Sequence, residues 1–375
     1  MPTLDDAEKR LLRARCTRWL SFGPPRTGAA WLAELAASPH LELALDAYSA
    51  GPAIGQLERR VAGLLGKEAA LWFPKGIVAQ QAALLVHAAA RGSDVVALHP
   101  RSHLALDEGD AVQRLAGLTV ATAGQDIRPF GVEHLDALAE PLAAVVVETP
   151  LRRAGYQASS WEQLGEISSW ARAHGAALHL DGARLWETQP WYGRSLSEIA
   201  ALADSVYVSL YKGLGGMAGC VLAGSRRFID ATRPWRLRYG GDLPLAFPLI
   251  VSALDGLDRT LPRMGDYYRH ACGLAAAIDS TPGLRVFPHP PHCNSFQVHF
   301  TASADALDNA ATEIAREEGT WLFGRFQQGL LPDSAFGEVV VTEASLGWAP
   351  QEAARALGRL AARAADRATA ATNCG

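Results

Sequence analysis

The feature that most constrains this fold is a series of short apolar segments that alternate with helix-forming segments. Each apolar segment is bounded by glycine, proline or polar residues and is too short for a helix, which is typical of a buried strand. These segments lie at 69–73, 94–98, 143–147, 176–180 and 205–210. Because strands that alternate with helices through short turns form a mostly parallel sheet covered by helices on both faces, the sequence predicts an α/β fold.

The character of the sequence changes near position 246, which predicts a second domain. A chain of 375 residues is also longer than one hydrophobic core ordinarily holds. Beyond this point a long helical stretch leads to candidate strands at 295–300 and 339–342 and then to a final helix rich in alanine and arginine. We predict an N-terminal helical segment (1–45), a large domain (46–245) and a small α+β C-terminal domain (246–375), which the N-terminal helices complete.

Charge and cysteine content exclude several classes of partner. The net charge of −4 gives no basic surface for nucleic acid or anionic lipid. The chain has no apolar run long enough to span a membrane, and its charged start does not resemble a secretory signal. The five cysteines are scattered without metal-ligand spacing, so we expect a reduced, cytoplasmic protein without a metal site.

Lys212 is the first candidate for chemistry, because it directly follows an apolar segment and precedes a glycine-rich run, 213–216. Glycines there would let a bulky ligand approach the backbone. Burial would lower the pKa of the lysine amine and make it a nucleophile. The segment by itself is also compatible with a lysine on an ordinary loop.

Asp181 ends the apolar segment 176–180 and is the second candidate. A carboxylate at that position is costly unless it has a cationic partner. The partner could be Arg184 or the start of the next helix, in which case the aspartate is structural. It could also be the protonated pyridine nitrogen of a cofactor ring that serves as an electron sink. Since the ends of successive parallel strands share one crevice, Asp181 and Lys212 together favour the cofactor.

The turn at Lys75, Gly76 and Ile77 is a candidate anion site. It separates the apolar segment 69–73 from a helix-permitting segment, 77–90. A strand, a glycine turn and a helix in this order place backbone N–H groups where a phosphate can bind. Lys75 would add positive charge, unless it is a solvated turn lysine.

Several motifs resemble the low-specificity threonine aldolase and β-eliminating lyase family of fold-type I enzymes, which use pyridoxal 5′-phosphate (PLP). The similarity is collinear from about residue 46 to residue 241 and is weak in the C-terminal third, near Asn294. The motifs are Asp46-Ala47-Tyr48, Gly66-Lys67-Glu68-Ala69-Ala70-Leu71, Ser102-His103 with Glu108, His179-Leu180-Asp181-Gly182-Ala183-Arg184-Leu185, and Asp204-Ser205-Val206 through Lys212-Gly213-Leu214-Gly215.

The resemblance implies a PLP-dependent transferase-like fold of the aspartate aminotransferase type, and it gives the cofactor residues roles. Lys212 would bind PLP covalently and Asp181 would pair with its pyridine nitrogen. His103 would stack on the ring and could relay a proton. Glu108 would orient the loop or act as a base. The backbone of the turn at 75–77 would hold the phosphate.

The resemblance also implies which residues bind the substrate. Arg184 would bind the substrate carboxylate with the two-pronged geometry that only arginine offers, and it would lie against the cofactor. Tyr48 and Arg152 are further candidates for substrate binding. Family members place the site between subunits, which implies a homodimer or a homotetramer.

Departures from the family pattern fall on the phosphate and substrate sides. The family's Ser-Gly-Thr turn is Lys75-Gly76-Ile77 here, without hydroxyls. Leu151 occupies the place of a second histidine, and a leucine cannot transfer a proton. Arg152, Arg153 or a water could replace that histidine. Residues 339–346 contain no clear counterpart of a late carboxylate-binding arginine, for which Arg325 is a distant candidate. An arginine that reaches a neighbouring subunit is also lost from 240–244, and Arg236 or Arg238 could compensate.

The function that the resemblance implies is that of a PLP-dependent lyase acting on an amino acid. It would cleave the Cα–Cβ bond of a β-hydroxy-α-amino acid to give glycine and an aldehyde. One alternative is β-elimination or racemisation at Cα, which needs Lys212 as a base but no second histidine. Another is a PLP-fold protein without turnover, which the altered phosphate turn suggests.

Overall fold

The computed structural model describes residues 5–331 and 333–372. The chain divides into two compact units. The larger unit is Trp31–Met264, and the smaller one combines Met1–Ala30 with Gly265–Gly375. None of the described helices combines the length and the apolar character that crossing a bilayer requires.

The unit boundaries lie at 30/31 and 264/265, whereas the sequence analysis placed domain boundaries at 45/46 and 245/246. The boundary after residue 264, instead of 245, is explained by the packing of one helix. The helix Phe247–Arg259 lies directly against the turn that follows the last parallel strand. A Cβ atom on its Gly256 would stand 2.7 Å from the carbonyl oxygen of Leu214, so this helix packs with the sheet.

The elements follow one another along the chain as short strands and helices of varied length. The strands are β1 (Arg18–Trp19), β2 (Ala69–Phe73), β3 (Val95–Leu98), β4 (Thr119–Thr122), β5 (Ala144–Glu148), β6 (Ala177–Gly182), β7 (Ser205–Ser209), β8 (Cys220–Gly224), β9 (Leu284–Phe287), β10 (Ser295–Phe300), β11 (Thr320–Trp321), β12 (Phe326–Gln328) and β13 (Ala335–Val340). The α-helices are α1 (Asp6–Arg15), α2 (Gly28–Ala36), α3 (Pro52–Leu65), α4 (Gly76–Arg91), α5 (His103–Leu106), α6 (Ala111–Arg114), α7 (Val132–Asp136), α8 (Trp161–Ala173), α9 (Leu185–Tyr192), α10 (Leu196–Ala201), α11 (Arg226–Arg238), α12 (Phe247–Arg259), α13 (Met264–Asp279), α14 (Ala304–Glu318) and α15 (Pro350–Thr372). Short 3-10 turns lie at Pro39–Glu42, Arg152–Ala154, Leu261–Arg263 and Glu343–Gly347.

The larger unit contains a seven-stranded sheet with the order β2-β8-β7-β6-β5-β3-β4. Strand β8 runs antiparallel to its neighbours β2 and β7, and the other neighbouring pairs are parallel. This confirms the predicted α/β architecture with a mostly parallel sheet. The register pairs Glu148 with Asp181 and Asp181 with Tyr207, so the ends of β5, β6 and β7 present these side chains in adjacent positions.

Helices α4 and α11 pack on one part of this sheet through a continuous apolar layer. Ala79 of α4 and Phe228 of α11 lie against Leu71, Phe73 and Leu222 of the strands. Burying each of the larger side chains contributes about 1.5–3 kcal/mol. Alanines on α4 keep the helix close to the strands, which holds its N-terminus at the edge where β6 and β7 end.

Local sequence determines where the helices begin and end. Helix α4 starts after Pro74 and ends at Gly92, which adopts a φ of 65° that glycine accommodates without strain. Helix α8 begins with a capping box in which Ser160 is the N-cap and Gln163 completes the box.

The smaller unit is an α+β structure, as the sequence predicts. Its antiparallel sheet has the order β12-β13-β10-β9. The candidate strand at 295–300 is β10, and the one at 339–342 is β13, which runs instead from Ala335 to Val340. Near the N-terminus, Cys16 packs with Ala315 and Trp321 in a separate apolar cluster.

A buried chain of hydrogen bonds joins α4 to β6 and β7. The amide oxygen of Gln80 lies 2.6 Å from Nε2 of His179, whose Nδ1 lies 2.7 Å from the hydroxyl of Ser205. The same hydroxyl lies 2.7 Å from Nε2 of His87. Burial lowers the pKa of His179 to about 3, so this imidazole is neutral and each of its nitrogens has one partner.

Replacing Ser205 by alanine tests this chain. We expect Ser205→Ala to lower the free energy of unfolding by about 1–3 kcal/mol, because a buried imidazole nitrogen loses its partner. Urea unfolding followed by circular dichroism measures the change. Ser169→Ala is the matched control, since the Ser169 hydroxyl is exposed and bonds only within α8. A Ser205→Ala protein as stable as the parent would contradict the role of the chain.

Candidate active site

A cavity of about 150 Å³ opens where β6 and β7 end. Its lining includes seven residues that were selected from the sequence: Lys75, Gly76, Ile77, His103, Glu108, Asp181 and Lys212. Three other selected residues, Tyr48, Arg152 and Arg184, are not part of the lining. The structure thus brings together the candidates from the strand ends and from the helix N-terminus.

Lys212 lies in the turn after β7, where its backbone N–H donates to the hydroxyl of Ser209 at 3.4 Å. Burial lowers the pKa of the Lys212 amine, and the positive charge of Arg184 lowers it further. The carboxylates of Asp181, Glu148 and Glu187 act in the opposite direction. The amine is therefore more easily deprotonated, and so more nucleophilic, than an exposed lysine.

The glycines after Lys212 are required by contacts within the protein. We expected them to let a ligand approach, and that expectation stays a prediction. A Cβ atom on Gly213 would stand 2.1 Å from the Glu187 carboxyl carbon, and one on Gly216 would stand 2.7 Å from the carbonyl oxygen of Leu210. These contacts fix the turn that carries Lys212.

Asp181 is 1% exposed, and its Oδ1 accepts the backbone N–H of Ala183 at 3.1 Å. Burial raises the pKa of its carboxyl group, whereas Lys212 and His103 lower it. The guanidinium carbon of Arg184 lies 5.5 Å from the centre of the Tyr156 ring. Asp181 makes a local turn with Ala183 and does not cap helix α9, whose N-cap is Arg184, and its charge is opposed mainly by groups that line the cavity.

His103 is the first residue of the short helix α5 and is held at two points. Its Nδ1 lies 3.1 Å from Oε1 of Glu108, and its backbone N–H donates to Oε2 of Glu148 at 2.6 Å. The hydrogen bond to Glu108 raises the pKa of the His103 imidazole, while burial and Lys212 lower it. Glu108 thus holds the imidazole of His103. The roles expected for it, orienting the loop or acting as a base, stay predictions.

The N-terminus of α4 is open toward the cavity. Lys75 occupies the N-cap position without a side-chain hydrogen bond, and the first turn contains no acidic residue. The hydroxyl of Tyr207 would lie 2.4 Å from a Cβ atom on Gly76, so only glycine fits there. Free N–H groups at the start of a long helix are a favourable environment for an anion.

The residues outside the lining have their own partners. Tyr48 is 71% exposed, and its backbone N–H donates to the carbonyl of Pro244 at 3.2 Å. Nε of Arg152 donates to the Tyr156 hydroxyl at 3.3 Å. Leu151, which replaces the family's second histidine, is 2% exposed, so this position is closed to solvent as well as apolar.

The arginines considered as replacements are engaged in other interactions. Arg153 forms an ion pair with Asp107, which itself lines the cavity. Arg236 is buried, pairs with Asp242 and donates to the carbonyl of Trp72 at 3.0 Å. Because Arg236 is held inside its own unit, it does not compensate for an arginine that extends to another subunit. Arg238 lies over Trp235, at 4.5 Å from the ring centre. Arg325 lies in the smaller unit.

Several residues of this region were not predicted from the sequence. Tyr207 and Gln80 line the cavity, and Glu148 and Glu187 lie near Lys212. Glu148 could have been found, since it ends an apolar strand in the way that Asp181 does. Tyr207 and Gln80 sit inside a strand and a helix, where their type and spacing suggest only a buried core.

Comparison with known proteins agrees with this arrangement. The sequence model of the Beta-eliminating lyase family matches residues 33–303. Low-specificity L-threonine aldolase 1 of Arabidopsis thaliana is 29% identical over 251 residues, which cover 64% of this chain and 70% of that protein.

Two solved structures are similar over almost the whole chain. One, from Listeria monocytogenes EGD-E, is provisionally described as an L-allo-threonine aldolase. It is 35% identical with a TM-score of 0.89, over 96% of this chain and 99% of that one. The other, from Exiguobacterium sp. 255-15, is provisionally described as an aromatic amino acid beta-eliminating lyase/threonine aldolase. It is 34% identical with a TM-score of 0.88, over 95% and 99% of the two chains. The expected fold type of PLP enzymes is confirmed. Because the family match covers most of the sequence, this chain belongs to the beta-eliminating lyase family.

Proposed function

We propose that this chain is a PLP-dependent lyase that cleaves the Cα–Cβ bond of a β-hydroxy-α-amino acid, as a threonine aldolase does. The products would be glycine and an aldehyde. The observation that carries the proposal is that Lys212 and Asp181 face one cavity from the ends of adjacent strands. The names of the Arabidopsis and Listeria proteins support the choice of a threonine-like substrate.

The residues around the cavity fit PLP in their chemistry. Lys212 supplies a desolvated amine for the aldehyde of PLP, and Asp181 supplies a buried carboxylate for the pyridine nitrogen. His103 would lie against the ring. The backbone N–H groups of Gly76 and Ile77 would bind the phosphate without the hydroxyls of the family turn, with added charge from Lys75. Bound PLP supplies an electron sink for the negative charge that cleavage leaves on Cα.

The protein's own groups would handle the substrate. Arg184 would bind the substrate carboxylate, and Tyr48 and Arg152 would lie at the outer side of the site. His103 would accept the proton of the β-hydroxyl at Nε2, because its Nδ1 is engaged by Glu108. This role replaces the missing histidine, since Leu151 has no group that can transfer a proton.

Other parts of the proposal follow the resemblance. We propose a homodimer or a homotetramer in the cytoplasm, acting on a small amino acid. The alternative of β-elimination or racemisation, and that of a fold without turnover, receive less support, because the relatives cited above are named as aldolases.

The proposed activity is tested by incubating the purified protein and PLP with L-threonine or L-phenylserine. We expect glycine and the matching aldehyde to form in equal amounts, and we expect the protein to show a visible absorbance band. Lys212→Ala should lose the band and lower the rate by at least about 1,000-fold, because the amine that would hold PLP is removed. Ammonia with a keto acid, or racemised substrate, would favour the alternatives instead. A parent protein without a band would rule out the cofactor.

The pair of His103 and Glu108 predicts a pH dependence. Since Glu108 raises the pKa of His103, His103 stays protonated to a higher pH than an ordinary histidine, and activity that needs the neutral ring falls below that pH. Glu108→Gln removes the negative partner, so burial and Lys212 should lower the pKa of His103. The acidic limb of the profile of kcat/KM against pH should then move to lower pH. Glu162→Gln, at an exposed helix start, is the control, and an unmoved limb in Glu108→Gln would exclude His103 as the titrating group.

A further inference from the structure

Glu148 ends strand β5 and connects two segments that lie on either side of the strand end. Its Oε2 accepts the backbone N–H of His103 at 2.6 Å, and its Oε1 accepts the backbone N–H of Arg152 at 3.2 Å. Asp181 is its neighbour in the sheet register. One carboxylate at the strand end therefore fixes the main chain of both segments.

The first of these contacts determines where His103 begins helix α5. The imidazole of His103 is held by Glu108, and its main chain is held by Glu148. Two separate carboxylates thus fix the position and the orientation of this side chain. Without Glu148, the backbone N–H of His103 would lose its partner, and the main chain at the start of α5 would be held less firmly.

The second contact connects Glu148 to Arg184 through the side chains of Arg152 and Tyr156. Arg152 donates from Nε to the hydroxyl of Tyr156 at 3.3 Å, and Tyr156 is fully buried. The guanidinium carbon of Arg184 lies 5.5 Å from the centre of the same ring, within the range of a cation–π contact. A hydrogen bond to Arg152, a second hydrogen bond to Tyr156 and a cation–π contact therefore connect Glu148 to Arg184.

Charged groups around Glu148 come from three further elements: Asp181 from β6, His103 from α5, and Lys212 from the turn after β7. Burial and Asp181 raise the pKa of Glu148 to about 7, while the two backbone N–H groups and His103 lower it. An ionised carboxylate accepts both N–H groups on charged oxygens, whereas a protonated carboxyl group keeps acceptor capacity but forms weaker hydrogen bonds. Ionisation of Glu148 therefore strengthens both hydrogen bonds.

We propose that Glu148 is a positioning residue that sets both His103 and Arg184 relative to the amine of Lys212. The inference rests on the proposed function for the roles of those residues. It goes beyond that function because Glu148 would influence the reaction through other side chains, without contacting the substrate. Proton transfer by His103 and carboxylate binding by Arg184 would then both depend on Glu148.

The main test is Glu148→Gln, which keeps the size of the side chain but replaces one acceptor oxygen by an NH₂ group. Lys212 and Asp181 are untouched, so we expect the visible absorbance band to remain. The value of kcat should fall because His103 is displaced, and KM for L-phenylserine should rise because Arg184 is displaced. We expect kcat/KM to fall about 10- to 100-fold in total, as small displacements of reacting groups do.

Hydrogen–deuterium exchange provides a readout that does not depend on turnover. In Glu148→Gln, exchange should increase at residues 102–107 and 151–157, with little change in the strands. Glu162→Gln is the matched control, since this exposed glutamate lies at the start of α8 and should leave both exchange and kinetics unchanged. Unchanged exchange in the two segments, or unchanged kcat and KM, would overturn the proposal.

A second variant separates the two contacts and serves if Glu148→Gln does not fold. Tyr156→Phe removes the hydroxyl that accepts from Arg152 but leaves the ring beneath Arg184. We expect it to raise KM several-fold with kcat unchanged, and equal effects on both parameters would contradict the proposed path. A parent protein that forms no aldehyde would instead refute the proposed function, and the exchange experiment would still decide the role of Glu148.

Discussion

The structure of the site depends on burying the Asp181 carboxylate close to the Lys212 amine. Each group alone would be costly in an interior where water is excluded, and burial shifts both pKa values toward the neutral forms. Each charge favours the charged form of the other, so the pair offsets part of the cost. A cluster of this kind is poorly suited to stability alone. It is well suited to a cofactor that has one group for the amine and a cationic nitrogen for the carboxylate.

The sheet explains how the cluster is assembled from residues far apart in sequence. Parallel strands end at the same edge, so β5, β6 and β7 each place a side chain there: Glu148, Asp181 and, just after β7, Lys212. Helix α4 adds an uncapped N-terminus because its alanines pack it close to the sheet. The helix N-terminus, with its positive end, can bind an anion, and the carboxylates can bind a cationic group. The two kinds of site therefore lie next to each other.

Sequence patterns predicted the parts of the fold that depend on apolar periodicity and on strand ends. The sheet, Lys212, Asp181 and the turn at Gly76 follow from such local rules. The reason for the glycines after Lys212 did not, because Gly213 is required by Glu187, a contact between distant segments. Tyr48 and Arg184 were chosen from motifs, and motifs do not say whether a side chain faces a cavity. Arg236 was offered as a replacement, although a buried ion pair with Asp242 holds it.

Leucine stands at position 151, where the family has a second histidine, and the proposed proton chemistry therefore rests on His103. Leu151 is buried and begins the turn that carries Arg152, so it stabilises that turn by packing. A histidine there would need a partner for its polar ring or would have to face the site. With leucine at position 151, the main chain of this turn is held by Glu148. Tyr156, which follows the turn, packs against Arg184. In the proposed mechanism, a turn without a group that transfers protons still contributes by fixing the groups that do.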